Sequence, residues 1–367
     1  MFPHYRAPVL RALSKSDRYH FDFFGSHEPV DGIEVFTGDD QVEVKPIGYR
    51  AKGVGGVMSG LWGPVFDRRY SALILIGNPH YLQTWMAAII GRLTGKAILF
   101  WAHGWLRREP APKALIRKIY FGLSDRVLVY ADRARDIARQ AGFAPDKVIP
   151  IYNSLDWDQA TAHHVRLEKT DPAAERRALG LPADRPVVIC TARLTPSCRF
   201  DLLLDAARVM ADRGRPVQVV LVGDGPMRAE LERQARNLAV DALFTGAIYD
   251  EAELSRLIHA ADLTVSPGKV GLTAVHSLSY GAPVVTHGDL DNQMPEVEII
   301  TAGRTGEFFR AGDVHDLARA IETTLDWPTA RDQVRRDCRA AVEARYTPQR
   351  QRALIEGALD DVLQRPA

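Results

Sequence analysis

The chain predicts an α/β protein built from two doubly wound, Rossmann-like domains that face each other across a cleft. Short apolar runs alternate with amphipathic helical patterns, which is typical of βαβ units and parallel sheets. The 367 residues allow two domains of about 150 residues each. A charged stretch from His163 to Pro186, interrupted by Pro172 and Pro182, separates an earlier series of such units from a later one. We therefore expect two domains of similar construction.

The apolar runs locate the individual elements. In the first series the predicted strands are Phe21–Phe24, Ala72–Ile76, Ala97–Trp101, Arg126–Tyr130 and Val148–Ile151, with helices Tyr81–Leu93, Ala111–Gly122 and Ala131–Ala141. In the second, the strands are Val187–Thr191, Gln218–Val222, Leu243–Thr245, Leu263–Ser266 and Pro283–Thr286, with helices Phe200–Arg213, Met227–Ala239, Glu251–Ala261, Leu272–Tyr280 and Val314–Asp326. These patterns predict an N-terminal domain over 1–165, a linker over 166–185 and a C-terminal domain over 186–345. A last helix within 346–367 is expected to pack back on the first domain.

Charge and cysteine content exclude several classes of function. The net charge is +1, from 47 basic and 46 acidic residues, so no basic excess supports nucleic-acid binding. Cys190, Cys198 and Cys338 form no C-x-x-C pair and no metal-ligand spacing. No apolar signal segment is visible at the N-terminus, and charges interrupt the longest apolar tract, so we expect a cytoplasmic protein.

The candidate ligand-binding residues lie in the turns that follow strands in the second half of the chain. Ligands of open α/β sheets bind beyond the carboxyl ends of the strands, often at a helix N-terminus. One such turn contains Arg193 and Arg199, another reads Gly223-Asp224-Gly225-Pro226, and a third reads Pro267-Gly268-Lys269-Val270-Gly271 before a helix at Leu272. Glycine allows a close backbone approach to a phosphate, and arginine supplies planar donors for a diphosphate. Together these turns predict an anion site.

Four ordered blocks resemble the donor-binding half of a retaining GT-B glycosyltransferase of the large family-4 group. They are CTARLTPSCRFDLLLDA (190–206), VGDGPMRAE (222–230), SPGKVGLTAVHSLSYGAPVV (266–285) and MPEVEIITAGRTG (294–306). The resemblance covers about residues 186–325. It implies a GT-B fold and a nucleotide-diphosphate sugar donor, with no metal or other cofactor expected. The leaving phosphate would then act as the base.

The same resemblance assigns roles by position. Arg193 matches the family's diphosphate-binding arginine, while Cys198 stands where a lysine is usual. Arg199, beside it, either turns inward as a substitute or is a solvated residue at a helix start. The backbone amides of Gly271, Leu272 and Thr273 are candidates for the leaving phosphate.

Two carboxylates that the family usually has are missing. A pair of glutamates seven residues apart normally precedes the Gly-x-Pro-Val strand, and these positions hold Gly268 and His276. His276 either offers a hydrogen bond to the donor ribose or is a structural histidine. Glu296 matches an acid that commonly follows this strand. Base recognition is expected near Gly246–Tyr249.

The first half offers fewer candidates. His103 follows the strand Ala97–Trp101, where the family often has a histidine that contacts the transferred sugar. Residues 106–123 combine basic, aliphatic and aromatic side chains, so this helix either contacts an anionic membrane or has a solvated basic face. Asp289-Leu290-Asp291 is read as a polar turn, not as a metal-binding D-x-D motif.

The resemblance, together with the predicted anion site, implies sugar transfer from a nucleotide-diphosphate sugar to a glycan or lipid-linked glycan. Assembly of a bacterial surface polysaccharide, such as lipopolysaccharide, is the expected setting, at the inner face of the membrane. Two alternatives stay open: a GT-B protein that has lost transfer and acts as a partner or regulator, and a nucleotide-sugar 2-epimerase.

Overall fold

The computed structural model describes residues 1–28, 34–52 and 55–364. It divides into two compact units. The first comprises Met1–Asp156 and Tyr346–Ala367, and the second comprises Trp157–Arg345. Each unit is built around its own parallel sheet.

The first unit contains a four-stranded parallel sheet in the order β5-β6-β7-β8. In chain order, its elements before the second unit are α1 (Ala7–Ser14), β1 (Phe23–Gly25), β2 (Val44–Pro46), β3 (Gly48–Lys52), β4 (Gly55–Ser59), α2 (Trp62–Phe66), β5 (Ala72–Ile76), α3 (Leu82–Leu93), β6 (Ala97–Trp101), α4 (Ala111–Gly122), β7 (Arg126–Val129), α5 (Asp132–Gln140) and β8 (Val148–Pro150). Because neighbouring strands follow each other in one direction, right-handed crossovers place α3, α4 and α5 on the same face of the sheet.

Alternating side chains of the central strands fill the core on both faces of this sheet. Ile98 and Phe100 of β6 pack in the cluster that includes α3 and α4. Leu99 packs in the opposite cluster, with residues of α1 and of the chain's last helix. A strand buried on both faces reads as a continuous apolar run, which is why β6 is recognisable in the sequence.

The second unit contains a six-stranded parallel sheet in the order β11-β10-β9-β12-β13-β14. Its elements are α6 (Trp157–Leu167), α7 (Pro172–Ala178), β9 (Val187–Thr191), α8 (Phe200–Asp212), β10 (Gln218–Val222), α9 (Arg228–Asn237), β11 (Ala242–Gly246), α10 (Glu251–Ala260), β12 (Leu263–Ser266), α11 (Leu272–Ser279), β13 (Val284–His287), β14 (Gly306–Phe309), α12 (Val314–Leu325) and α13 (Arg331–Arg345). The central strand β9 sends Val188 and Cys190 into one buried cluster and Val187 and Ile189 into another. This order brings the carboxyl ends of β10, β9 and β12 side by side.

The last helix, α14 (Pro348–Leu363), belongs to the first unit, where it packs against α1 and against β7 and β8. Residues 166–185, expected as a linker, lie inside the second unit. There α7 packs on α10, and the guanidinium of Arg176 donates to a carboxylate oxygen of Asp262 at 2.7 Å. The charged, proline-containing sequence is typical of a linker, but ion pairs of Arg176 with Asp262 and of Glu175 with Arg256 attach α7 to the unit. Leu181, just after the helix, is buried in the same unit's core.

The apolar runs locate most of the core elements correctly. Strands β5, β6, β9, β10 and β12 and helix α4 have the predicted bounds, and several other elements differ by one or two residues at their ends. The sequence analysis misses β2, β3, β4 and β14, the short helices α1 and α2, and the polar helices α6 and α13. These segments are short or lack a clear apolar period, so periodicity does not reveal them.

Candidate functional site

The three turns predicted to form an anion site are neighbours at one edge of the second unit's sheet. They follow β9, β10 and β12, and the turn after β9 lies between the other two. Leu194 donates its N–H to the carbonyl oxygen of Asp224 at 3.0 Å. On the other side, Gly268 donates its N–H to the carbonyl oxygen of Cys198 at 3.0 Å. Backbone hydrogen bonds thus join all three turns.

The glycines of these turns are required by contacts between the turns themselves. A Cβ on Gly223, whose φ is +151°, would lie 2.0 Å from the carbonyl oxygen of Ala192. On Gly225 it would lie 2.4 Å from the carbonyl oxygen of Leu194. The sequence analysis explains these glycines by close approach to a phosphate. In the structure the space is filled by the neighbouring turn, which brings the Arg193 segment close.

Gly268 has the same role on the other flank. A Cβ there would lie 2.0 Å from the carbonyl oxygen of Ser197. By contrast, a Cβ on Gly271 would meet nothing nearer than Met294 at 3.9 Å. Gly268, which the resemblance aligns with the family's first glutamate, is therefore a packing residue in this protein.

Arg193 is exposed directly after the end of β9. Within the described residues its guanidinium has no hydrogen-bond or ion-pair partner, while its carbonyl oxygen accepts from the Cys198 thiol at 3.2 Å. An exposed guanidinium without a carboxylate partner is free to bind an anion.

Arg199 is engaged elsewhere. It precedes α8 with φ +54° and is exposed, and its guanidinium donates to both carboxylate oxygens of Asp201 at 3.0–3.1 Å. The hydrogen bond with Asp201 raises the pKa of Arg199. Of the two alternatives for this residue, the structure has the solvated one at the helix start.

Helix α11 begins beside Arg193's strand. The Thr273 hydroxyl donates to the carbonyl oxygen of Thr191 at 3.1 Å, which holds the helix start against the end of β9. No acidic side chain lies in the first turn, and Gly271 caps the helix without a side-chain hydrogen bond. In the described part of the chain, no protein acceptor takes the amides of Leu272 and Thr273. The positive end of the helix dipole is thus left open to a ligand.

Buried Gln293 supports this helix start, and the sequence analysis overlooks it. Its side-chain oxygen accepts from the N–H of Val270 at 2.8 Å, and its amide nitrogen donates to the hydroxyl of Thr286 at 2.9 Å. Only 4% of Gln293 is exposed. Glu296 is buried as well, in the 3₁₀ turn Pro295–Ile299 that packs against α11.

His276 is anchored by a carboxylate that the sequence analysis also missed. Its Nε2 lies 2.8 Å from Oε1 of Glu251, the first residue of α10. The Tyr280 hydroxyl donates to the same oxygen. Burial opposes ionisation of Glu251, but the hydrogen bonds from His276 and Tyr280 leave its pKa below the usual value. A charged carboxylate from α10 therefore lies beside His276, which the resemblance aligns with the family's second glutamate.

A signal for Glu251 is present in the sequence. It follows closely on the segment Gly246–Tyr249, which was singled out for base recognition. Only the fold shows that this acid and His276, 25 residues further along the chain, are in contact.

His103 belongs to the first unit. Its ring packs edge-on against Tyr130 at 5.0 Å between centroids. The Arg6 guanidinium lies 4.8 Å from the Trp101 ring and 5.2 Å from the Tyr130 ring, and it donates to the Tyr130 hydroxyl. The pKa of His103 is lowered because the surrounding protein atoms desolvate its ring and because the positive charge of Arg6 lies nearby. Arg6 thus lies close to His103 through a contact between segments that are distant in the chain.

The acidic string after β13 behaves as a polar turn. Asp289 accepts a hydrogen bond from the Asn292 side chain at 2.8 Å, within the 3₁₀ turn Leu290–Asn292. Among the residues that the structure describes, no three His, Cys, Asp or Glu side chains form a group that could hold a metal ion. None of the helices within the described ranges combines the length and apolar character needed to cross a membrane.

Comparisons with known proteins all find similarity to glycosyltransferases. Residues 185–326 match the family model described as glycosyl transferases group 1. The chain is 29% identical over 230 residues to the alpha-D-kanosaminyltransferase of Streptomyces kanamyceticus, across 60% of this chain and 56% of that protein. It is 35% identical over 133 residues to the GDP-mannose-dependent alpha-(1-6)-phosphatidylinositol dimannoside mannosyltransferase of Mycobacterium tuberculosis, across 35% of this chain and 33% of that protein. The chain thus spans about a third to about half the length of these curated relatives.

A solved structure extends the likeness to the whole fold. HepE of Anabaena, in complex with UDP and glucose, matches with a TM-score of 0.67 at 19% identity, over 96% of this chain and 95% of that one. Residues 185–326 are thus similar to glycosyl transferases group 1. The likeness over nearly the whole chain shows that it has the GT-B fold.

Proposed function

We propose that the protein is a retaining glycosyltransferase that moves a sugar from a nucleotide-diphosphate sugar to a glycan or lipid-linked glycan. The observation that carries the proposal is the exposed Arg193 guanidinium, which has no partner among the described residues, beside the start of α11, which no side chain caps. Both are sources of positive charge at one sheet edge. A diphosphate is the anion that such a pair fits best.

In the proposed mechanism, catalysis comes mainly from stabilising the leaving nucleoside diphosphate. Negative charge builds up on the diphosphate as the glycosidic bond breaks, and preorganised donors stabilise it. Arg193 and the amides of Leu272 and Thr273 supply these donors. In the retaining mechanism that the family resemblance implies, the leaving phosphate takes the proton of the acceptor hydroxyl. No side-chain base and no metal are then required.

His276, held by Glu251, is the proposed contact for the donor's ribose. His103 is kept as a proposed contact for the transferred sugar, on the resemblance alone. Arg199 stays a weaker candidate because Asp201 occupies its guanidinium.

The acceptor proposal draws on one relative's name. The mycobacterial relative acts on a phosphatidylinositol dimannoside, a glycolipid. We extend this to a lipid-linked acceptor in bacterial surface polysaccharide assembly, at the cytoplasmic face of the membrane. Residues 106–123 are the proposed contact with that membrane.

Nucleotide release tests the proposal directly. We would incubate the protein with UDP-, GDP- and dTDP-sugars and an acceptor extract, then measure nucleoside diphosphate and analyse the sugar by NMR. Arg193→Ala should lower turnover about a hundredfold or more, as loss of a single transition-state donor does. Arg233→Ala is the matched control because Arg233 is also exposed but lies on α9.

Each result has a distinct meaning. Near-wild-type turnover of Arg193→Ala would refute the role of Arg193. Nucleotide binding without turnover would favour the GT-B protein that has lost transfer. That alternative is motivated by Cys198 in the place of a lysine and by the Arg199 guanidinium already bound to Asp201. Conversion of the donor to its 2-epimer would favour the epimerase.

A further inference from the structure

Helix α3 presents an apolar stripe to solvent. Leu82, Met86, Ile89 and Leu93 recur at helical spacing, and they are 73, 50, 44 and 82% exposed, respectively. The opposite side of the helix is packed against the sheet: Gly91 lies so close that an added Cβ would meet Ile98 at 2.6 Å. The exposed stripe therefore points away from the sheet.

Helix α4 presents a second stripe next to the first. Leu115, Ile116 and Ile119 are each more than half exposed, while Tyr120 on the inner side is fully buried. The Tyr120 ring lies 4.8 Å from the Trp85 ring of α3, so the two helices are neighbours. Their stripes form one face, which we call the α3–α4 face. An exposed apolar face of this extent on a globular protein usually marks an interaction site.

The charged residues of the two helices α3 and α4 have one sign. The two helices contain Arg92, Lys113, Arg117 and Lys118 and no acidic residue. Two of these cations are already paired, Arg92 with Asp125 and Arg117 with Glu109. Within the described chain, Lys113 and Lys118 have no carboxylate at ion-pair distance. A surface that is apolar at its centre and basic around it is complementary to an anionic lipid bilayer.

We infer that the α3–α4 face docks on an anionic membrane surface, with the aliphatic side chains of both helices entering the interface and Lys113 and Lys118 at the headgroups. A second copy of the chain is a poorer occupant, because a two-fold contact through this face brings like charges together. The inference rests on the proposed function in one respect: a lipid-linked acceptor would be located in the membrane to which this face binds. Membrane binding itself can be measured without donor or acceptor.

Vesicle co-sedimentation tests this face. At low salt the full chain should bind mixed vesicles of phosphatidylglycerol and phosphatidylcholine, which are anionic. It should bind vesicles of phosphatidylcholine alone much more weakly. About 0.5 M NaCl should release it from the anionic vesicles, because salt screens the charges of the lysines. Lys113→Gln/Lys118→Gln should weaken binding about 25-fold, since each lysine near an anionic surface contributes about fivefold. Met86→Gln/Ile116→Gln should weaken binding at least about tenfold by removing inserted aliphatic area.

Matched controls locate the effect. Lys15→Gln/Lys169→Gln changes two other exposed lysines, and Val165→Gln changes an exposed aliphatic residue of the second unit. These variants should bind vesicles as the wild type does, and circular dichroism and thermal unfolding should show that all variants are folded.

Three outcomes would overturn the inference. The first is absence of binding to anionic vesicles at low salt. The second is binding that the face variants leave unchanged. The third is a dimer in analytical ultracentrifugation that Met86→Gln/Ile116→Gln dissociates, which would make the face a contact between copies. Nucleotide release can succeed or fail independently of all three.

Discussion

Replacing Gly268 by alanine tests how the three turns of the candidate site are held together. The added Cβ would lie 2.0 Å from the carbonyl oxygen of Ser197, whereas a comfortable carbon–oxygen contact is about 3.5 Å. The two turns must therefore separate by about 1.5 Å. That movement also breaks the 3.0 Å hydrogen bond from the Gly268 N–H to the Cys198 carbonyl oxygen.

The magnitude follows from these two effects. Overpacking costs about 1–3 kcal/mol and the lost hydrogen bond about 1 kcal/mol, so Gly268→Ala should lower the free energy of unfolding by about 2–4 kcal/mol. The displaced turn carries Arg193, so the affinity for nucleoside diphosphates should also fall. Urea unfolding and calorimetric titration with UDP and GDP measure the two quantities.

Gly288→Ala is the matched control in the same unit. A Cβ there would meet its nearest neighbour, Phe308, at 3.6 Å, which is an ordinary contact. The control should change the free energy of unfolding by less than about 0.5 kcal/mol. If Gly268→Ala unfolds at the same urea concentration as the control and binds nucleotides normally, the close contact between the turns does not exist.

Two further predictions concern titratable groups: Glu251, which is half-buried, and His259, which is buried. Glu251→Gln should weaken UDP or GDP binding about tenfold or more, because His276 loses its charged partner. Tyr280→Phe removes one hydrogen bond to Glu251 but keeps the charged partner, so it should have a smaller effect. Unchanged affinity in Glu251→Gln would mean that the contact between Glu251 and His276 has a structural role only. Burial, with Arg335 nearby, lowers the pKa of His259 to about 3, so the folded protein keeps this ring neutral while the unfolded chain protonates it below about pH 6.5. The free energy of unfolding should consequently fall as the pH drops from about 6.5 towards 3, by at most about 1.4 kcal/mol per pH unit from this group. In the folded protein the Arg335 guanidinium lies 2.8 Å from Nδ1 of His259, and the side-chain oxygen of His259→Asn can still accept from it. Urea unfolding of this variant at several pH values should show a shallower dependence on pH; an unchanged slope would contradict the buried, neutral histidine.

Much of the fold was predictable because burial on both faces of a parallel sheet leaves continuous apolar runs. Strands β6 and β9 are recognisable for that reason, and the glycine turns mark where strands end. Strand β14 and helix α13 were not predictable, since they contribute few apolar residues to the core. Helix α3 was recognised as a helix, but its sequence alone did not distinguish the buried side from the exposed stripe.

Some residues of the candidate site were predictable from the sequence and others were not. Arg193, the glycine turns and the start of α11 follow from local sequence, because each depends on a strand end or a helix start. Glu251 and Gln293 were missed because their partners are distant in the chain: Glu251 contacts His276, and Gln293 supports the backbone of Val270.

The sequence by itself determined the α/β class, the parallel strands and the sheet edge at which the candidate site lies, since periodicity and turn residues act locally. Only the tertiary structure decided what each residue at that edge contacts. It directs Arg199 to Asp201, leaves Arg193 without a partner among the described residues, and gives His276 a carboxylate from α10. The physical reason is that sheet order, not chain order, sets which turns and helix starts lie side by side. Side-chain contacts between them have no signature in any single segment.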